Sequence, residues 1–163
     1  MALIVGTNSY VSVDDADIYF ADRLFADKWE SATPLDKEKA LIMATRKIDM
    51  QLLNGRKVDS AQTLQFPRSI YSRYKYPPYP QWVDESEVSD DVKSAVCEEA
   101  LAILSYTKES QKRTQLQRQG VTSFSLGSLS ESYSSNNATG YKLLSVEAVQ
   151  LLAPYIGGSR VIV

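Results

Sequence analysis

Acid–base and nucleophilic chemistry at neutral pH usually draws on histidine, and this chain contains none. Its single cysteine, Cys97, falls with Val96, Ala100 and Leu101 at helical spacing, which reads as a small buried apolar side chain rather than a nucleophile. The carboxylate pairs Asp90-Asp91 and Glu98-Glu99 are adjacent on a helix, so their side chains diverge by about 100° and do not flank a substrate. A dipole-matched helix start is expected for the first pair and a solvated face for the second. Gly55-Arg56-Lys57 carries one glycine, too few for a phosphate cradle. A zinc site would have to be built from carboxylates, an uncommon donor set. These residues predict a protein that is not an enzyme and holds no metal or cofactor.

One arrangement does carry binding chemistry. Arg56, Lys57 and Arg68 near Phe66, then Arg73 and Lys75 among Tyr71, Tyr74 and Tyr76, interleave cations with aromatics as single-strand binders do. Asp84, Glu85, Glu87, Asp90 and Asp91 follow at once, and the net charge of -2 argues against a main affinity for nucleic-acid phosphates. The candidate DNA-facing cations are Arg56, Lys57, Arg73, Lys112 and Arg113. The aromatics Tyr71, Tyr74, Tyr76, Tyr79 and Trp82 form a candidate contact surface for a second subunit or another protein, because they bring large apolar area at low entropic cost. The alternative is a loop folded back over its own core.

Four helices would position these residues. Ser12, followed by Asp15, caps a first helix through Ala16, Tyr19, Phe20 and Arg23. Thr33-Pro34-Leu35-Asp36 starts a second that runs to about Leu53, with an apolar stripe of Leu41, Ala44, Ile48 and Leu52 and a stop at Asn54-Gly55. Ser89 caps a third with the stripe Val92, Ala95, Val96, Ala100, Ile103 and Leu104, continued by Lys108, Lys112, Arg113 and Arg118 as far as Gly120. Ser145 caps a fourth, carrying Val149, Leu151 and Leu152 toward Pro154. Four of the six prolines, Pro67, Pro77, Pro78 and Pro80, lie between Gly55 and Ser89, which predicts an ordered or partner-ordered loop and no regular element there. Residues 121–133 predict a hairpin about a Gly127-Ser128 turn, and 134–140 a flexible connector.

At 163 residues, 44% hydrophobic and 23% charged, the chain fits one mainly α domain: a small bundle of about four helices with a β-hairpin and an extended loop. The lone cysteine fits a reducing compartment. No apolar run approaches a membrane span, and Met1 to Gly6 lacks the form of a signal peptide, so folding in the cytosol without a membrane partner is expected. The domain is expected to cover 1–156, followed by an arm, Gly157-Gly158-Ser159-Arg160-Val161-Ile162-Val163. Its β-branched end favours a pleated surface, supplied by another chain or by a strand of the same domain.

The ordered features resemble the head-tail connector (adaptor, or head-completion) proteins of tailed bacteriophages. The resemblance rests on Tyr10-Val11-Ser12-Val13-Asp14-Asp15-Ala16-Asp17 with Arg23, Trp29, Lys39 to Arg46, Gly55-Arg56-Lys57, Leu64-Gln65-Phe66-Pro67-Arg68, Glu98-Glu99-Ala100-Leu101, Gly120 to Gly127, and Leu151 to Tyr155. It implies a ring, typically of twelve copies, beneath a portal protein in the virion, assembled in the host cytoplasm. Such a ring would close the filled head, let packaged DNA pass, and dock a neck, stopper or tail-completion protein. Gly157 to Val163 would then be the portal-docking arm. Related phage sequences are sometimes labelled as resembling the primosomal DnaT single-strand binder, which supplies the alternative function: a single-stranded-DNA-binding module.

Overall fold

A computed structural model describes residues 2–72, 81–106, 143–156 and the backbone of the strand segments 123–126 and 129–132. The chain divides into two compact units, Met1–Leu104 with Leu143–Val163, and Ser105–Lys142. Among the described residues of the first unit are five helices and a three-stranded antiparallel sheet. This is roughly mixed α/β rather than mainly α.

The predicted caps hold. The Ser12 hydroxyl accepts the N–H of Asp15 at 3.0 Å and opens α1, Val13–Ala21. A short α2, Asp27–Glu30, has no side-chain cap and no sequence signal, and its Trp29 is buried against Phe20 of α1 with ring centroids 4.8 Å apart. Thr33 accepts the N–H of Asp36 and Pro34 takes the first turn of α3, Pro34–Asp49, where its missing donor costs nothing. Ser89 stands at the start of α4, Asp90–Leu104, and Ser145 caps α5, Val146–Leu151, by accepting from Ala148. α4 packs against both α3 and α5. Val92, Ala95, Val96 and Ala100 on α4 meet Leu41, Ala44 and Ile48 on α3 and Ala148 and Leu152 near α5 in one core. Cys97 lies within it, as expected, and burial pushes its thiol up to about 12.

Three expectations are corrected. α3 stops at Asp49, short of Leu53, and Leu52 is 78% exposed instead of completing the apolar stripe. Glu98 and Glu99 are buried, not solvated. The segment after Gly55 is not irregular: it contains β1, Arg56–Lys57, β2, Arg68–Ser72, and β3, Gln81–Asp84, in the order β1-β2-β3. None of the four prolines between Gly55 and Ser89 falls inside these strands. Pro67 lies just ahead of β2 after a cis bond from Phe66, and Pro77, Pro78 and Pro80 fall between β2 and β3. The ladder donors that proline would remove are thus kept.

The second unit contains β4, Ser123–Leu126, and β5, Leu129–Ser132, paired antiparallel with Leu126 opposite Leu129, the register of the expected two-residue hairpin. The cationic extension with Lys112 and Arg113, the connector 134–140 and the segment 157–163 lie outside the described residues.

Candidate functional site

The side chains of β1, β2 and β3 sort onto two faces by register. Arg56 pairs with Ser69, Ser69 with Asp84, and Tyr71 with Trp82. Residues opposite each other share a face and alternate residues return to it, so Arg56, Ser69, Tyr71, Trp82 and Asp84 occupy one side. Arg68, Ile70 and Val83 occupy the other, where Arg68 is buried and Ile70 packs against the core.

Gly55 sets the approach. Its φ of 75° is a left-handed conformation, and a Cβ there would lie 2.1 Å from the Ser69 carbonyl oxygen, so no larger residue fits. The preceding Asn54 donates its N–H to the Tyr155 carbonyl at 2.7 Å, which ties the start of β1 to the turn after α5. Arg68 holds the same corner from below. Its guanidinium donates to the carbonyls of Asn54 at 2.8 Å, Gly55 at 2.9 Å and Gln65 at 3.2 Å, and to Gln65 Oε1 at 3.0 Å. Burial pulls the pKa of this group below its ordinary value. Arg68, which the sequence groups with Arg56 and Lys57 near Phe66, is therefore a structural clamp, with four hydrogen bonds from its guanidinium to protein oxygens.

The entry to β2 is fixed by a second network. The Tyr10 hydroxyl donates to Asp49 and accepts the N–H groups of Gln65 at 2.9 Å and Phe66 at 3.1 Å, and Asp49 also accepts from Gln65. Burial raises the pKa of both Tyr10 and Asp49. Farther along, the Tyr155 hydroxyl donates to Glu85 Oε1 at 2.6 Å, just past the end of β3.

On the outer face, Arg56 Cζ lies 5.0 Å from the centroid of the Trp82 ring. Tyr71 meets Trp82 edge to face, with centroids 5.5 Å apart and ring planes at 65°. Arg56 starts opposite Ser69, so its side chain crosses β2 diagonally to reach a residue on the far strand. Ser69 is 1% exposed in the row it crosses, and its hydroxyl has no hydrogen-bond partner among the described residues. Tyr71 and Trp82 keep 48% and 50% of their surface in solvent. Among the described residues Arg56 makes no ion pair and donates no side-chain hydrogen bond. A cation held over an aromatic face, with no donor committed among the described residues and a second exposed ring beside it, can take a base by stacking and a phosphate by charge.

Of the sequence candidates, the structure thus brings together Arg56, Tyr71 and Trp82. Lys57 is on the opposite face, its ammonium held by the carbonyl oxygens of Gln62 at 3.0 Å and Thr63 at 3.5 Å. Arg73, Tyr74, Tyr76 and Tyr79 lie outside the described residues, as do Lys112, Arg113 and Gly157 to Val163.

The sequence reading misses a buried electrostatic frame on α4. Arg23 grips Glu98 with two bonds, Nε to Oε1 at 2.5 Å and Nη2 to Oε2 at 2.8 Å, and the Tyr19 hydroxyl donates to the same carboxylate at 2.8 Å. Glu99, fully buried, accepts Lys47 at 2.5 Å and the backbone N–H groups of Leu144 at 2.7 Å and Ser145 at 3.0 Å. One carboxylate anchors α1 to α4 and the other locks α3, α4 and the start of α5 together. Among the described residues no group of three or more cysteine or carboxylate side chains could hold a metal, and no helix is long and apolar enough to cross a membrane.

Among the described residues, one face of the antiparallel sheet thus presents an arginine and two half-exposed aromatics. Residues 1–163 match the protein family described as "Putative DnaT-like ssDNA binding protein". The chain belongs to that family. No curated protein and no solved structure matches it.

This membership overturns the connector resemblance. The whole chain matches the DnaT-like family and not a head-tail connector family, so the ring of copies, the portal, the neck or tail-completion partner and the virion role fall with it. The pieces that carried the likeness, such as the Ser12 cap, Glu98-Glu99 and Leu64 to Arg68, do fold-level work here: they cap, pair and clamp. Fold-level features do not assign a partner.

Proposed function

We propose that this protein is a non-enzymatic module that binds single-stranded DNA on the outer face of the β1-β2-β3 sheet. The observation that carries the reading is the exposed Arg56, Trp82 and Tyr71 assembly; membership of a family described as ssDNA-binding supports it. A base stacks on Trp82, a second contacts Tyr71, and the free Arg56 donors take the intervening phosphate. The net charge of -2 is compatible with this use, because stacking supplies affinity that does not depend on a basic excess.

Fluorescence anisotropy of a labelled oligothymidylate over a series of salt concentrations tests the reading. Arg56→Gln should weaken binding and flatten the log–log salt slope by about 0.7, the share of one phosphate contact on a single strand. An unchanged slope would remove Arg56 from the interface, and no binding by the parent protein at low salt would end the reading.

A further inference from the structure

The outer face of the sheet carries a carboxylate beside its aromatic pair. Asp84 lies two residues along β3 from Trp82 and on the same side, which sets the two Cα positions about 7 Å apart. It is also the diagonal cross-strand neighbour of Tyr71, at about 7–8 Å, within reach of long side chains. Asp84 is exposed, and its carboxylate has no ion-pair or hydrogen-bond partner among the described residues. Its neighbours are committed elsewhere. Glu85 accepts the Tyr155 hydroxyl at 2.6 Å and the Arg68 N–H at 3.4 Å. The Arg56 guanidinium lies over the Trp82 ring and does not pair with Asp84. Ser69, directly opposite Asp84, is 1% exposed and offers a ligand nothing while Arg56 crosses its row. Among the described residues of this face, Asp84 is the exposed carboxylate that stands free beside the rings.

From this arrangement we infer that Asp84 is a specificity-determining residue that selects cytosine over thymine among the bases stacked on this face. The inference rests on the proposed single-strand reading of that face. A carboxylate repels phosphates, so it adds nothing to the grip on the backbone. What an ionised carboxylate can do is accept hydrogen bonds, and base edges differ in what they donate. Cytosine presents its N4 amino group where thymine presents the O4 carbonyl oxygen. A base laid on Trp82 or against Tyr71 can turn that edge to Asp84. The amino group then donates a charge-assisted hydrogen bond, whereas O4 sets one acceptor against another. Both effects favour cytosine, and discrimination gains from the repulsive element as much as from the attractive one. Thymine still binds, because stacking is open to every base.

The test titrates fluorescent 20-mers of deoxycytidylate and of thymidylate with the parent protein, Asp84→Asn and Asp84→Ala, at low salt and a mildly alkaline pH that keeps cytosine neutral. The side chain is exposed, so folding should be unaffected, as circular dichroism would verify. The parent should prefer deoxycytidylate on the order of 5-fold, less than a buried hydrogen bond to a charged group would give. Asp84→Ala should bring the two affinities within about 2-fold, since stacking alone is sequence-tolerant. Asp84→Asn should do the same, because a carboxamide can accept from N4 or donate to O4. If Asp84 acted only as a charge, its removal would tighten both ligands equally and leave their ratio unchanged. That result, or equal affinities in the parent, would overturn the selective role while leaving single-strand binding intact. Absence of binding to both 20-mers by the parent protein would overturn the single-strand reading and this inference with it.

Discussion

Replacing Trp82 with alanine should weaken single-stranded DNA binding by about 1–3 kcal/mol, roughly 5- to 150-fold in Kd, and leave the fold in place. The size follows from what the ring does. Trp82 is half exposed, so its removal opens no core cavity. It is also the common partner of Arg56 and Tyr71, so the substitution removes a stacking surface and releases both neighbours. Trp82→Phe should recover part of the loss, since a smaller ring still stacks. Isothermal titration with thymidylate, alongside thermal melts of each variant, separates a binding defect from a folding defect.

The largest effect on stability is expected at Glu99. Glu99→Ala strips the acceptor from Lys47 and from the N–H groups of Leu144 and Ser145 at a fully buried position. Breaking a buried pair by deleting one partner costs about 3–5 kcal/mol, a large fraction of the 5–15 kcal/mol that holds a typical domain together. The melting temperature should fall by roughly 6–20 °C. Glu99→Gln keeps an acceptor oxygen for the backbone donors and should fall less. A melt of Glu99→Ala within about 2 °C of the parent would show that the frame around α4 does not hold the helices together.

Local signals were the legible part of this fold. Ser12, Thr33 and Ser145 act within three residues of the groups they cap, and the sequence shows them directly. The apolar stripe of α3 was equally readable, but periodicity does not mark where a helix ends, and Leu52 kept the period while lying outside it. The strands were obscured by composition. Proline and tyrosine dominate 71–82, and because the outward Tyr71 and Trp82 are as apolar as the inward Ile70 and Val83, period-two polarity does not mark the two faces.

Glu98 and Glu99 carry the sharper lesson. Adjacent on the helix, their side chains diverge, and that divergence is what lets each meet a different partner. Those partners lie 75, 52 and 45 residues away along the chain, a separation that no local pattern reports. Local pattern sorts the cations no better. Arg56, Lys57 and Arg68 look alike in sequence, and only the register of β1 against β2 frees the first and commits the other two.

The central claim is that Trp82 is in contact with bound single-stranded DNA, and the protein carries its own reporter for it. Of its two tryptophans, Trp29 is 1% exposed and Trp82 is 50% exposed, so solvent-accessible tryptophan emission comes from Trp82. Oligothymidylate of about 20 nucleotides, long enough to span a single-strand site, should be titrated at low salt while tryptophan emission and its quenching by acrylamide are recorded. The account predicts that emission falls and acrylamide accessibility is lost in step with binding measured by anisotropy. Binding with unchanged emission and accessibility, or no binding at all, would contradict it.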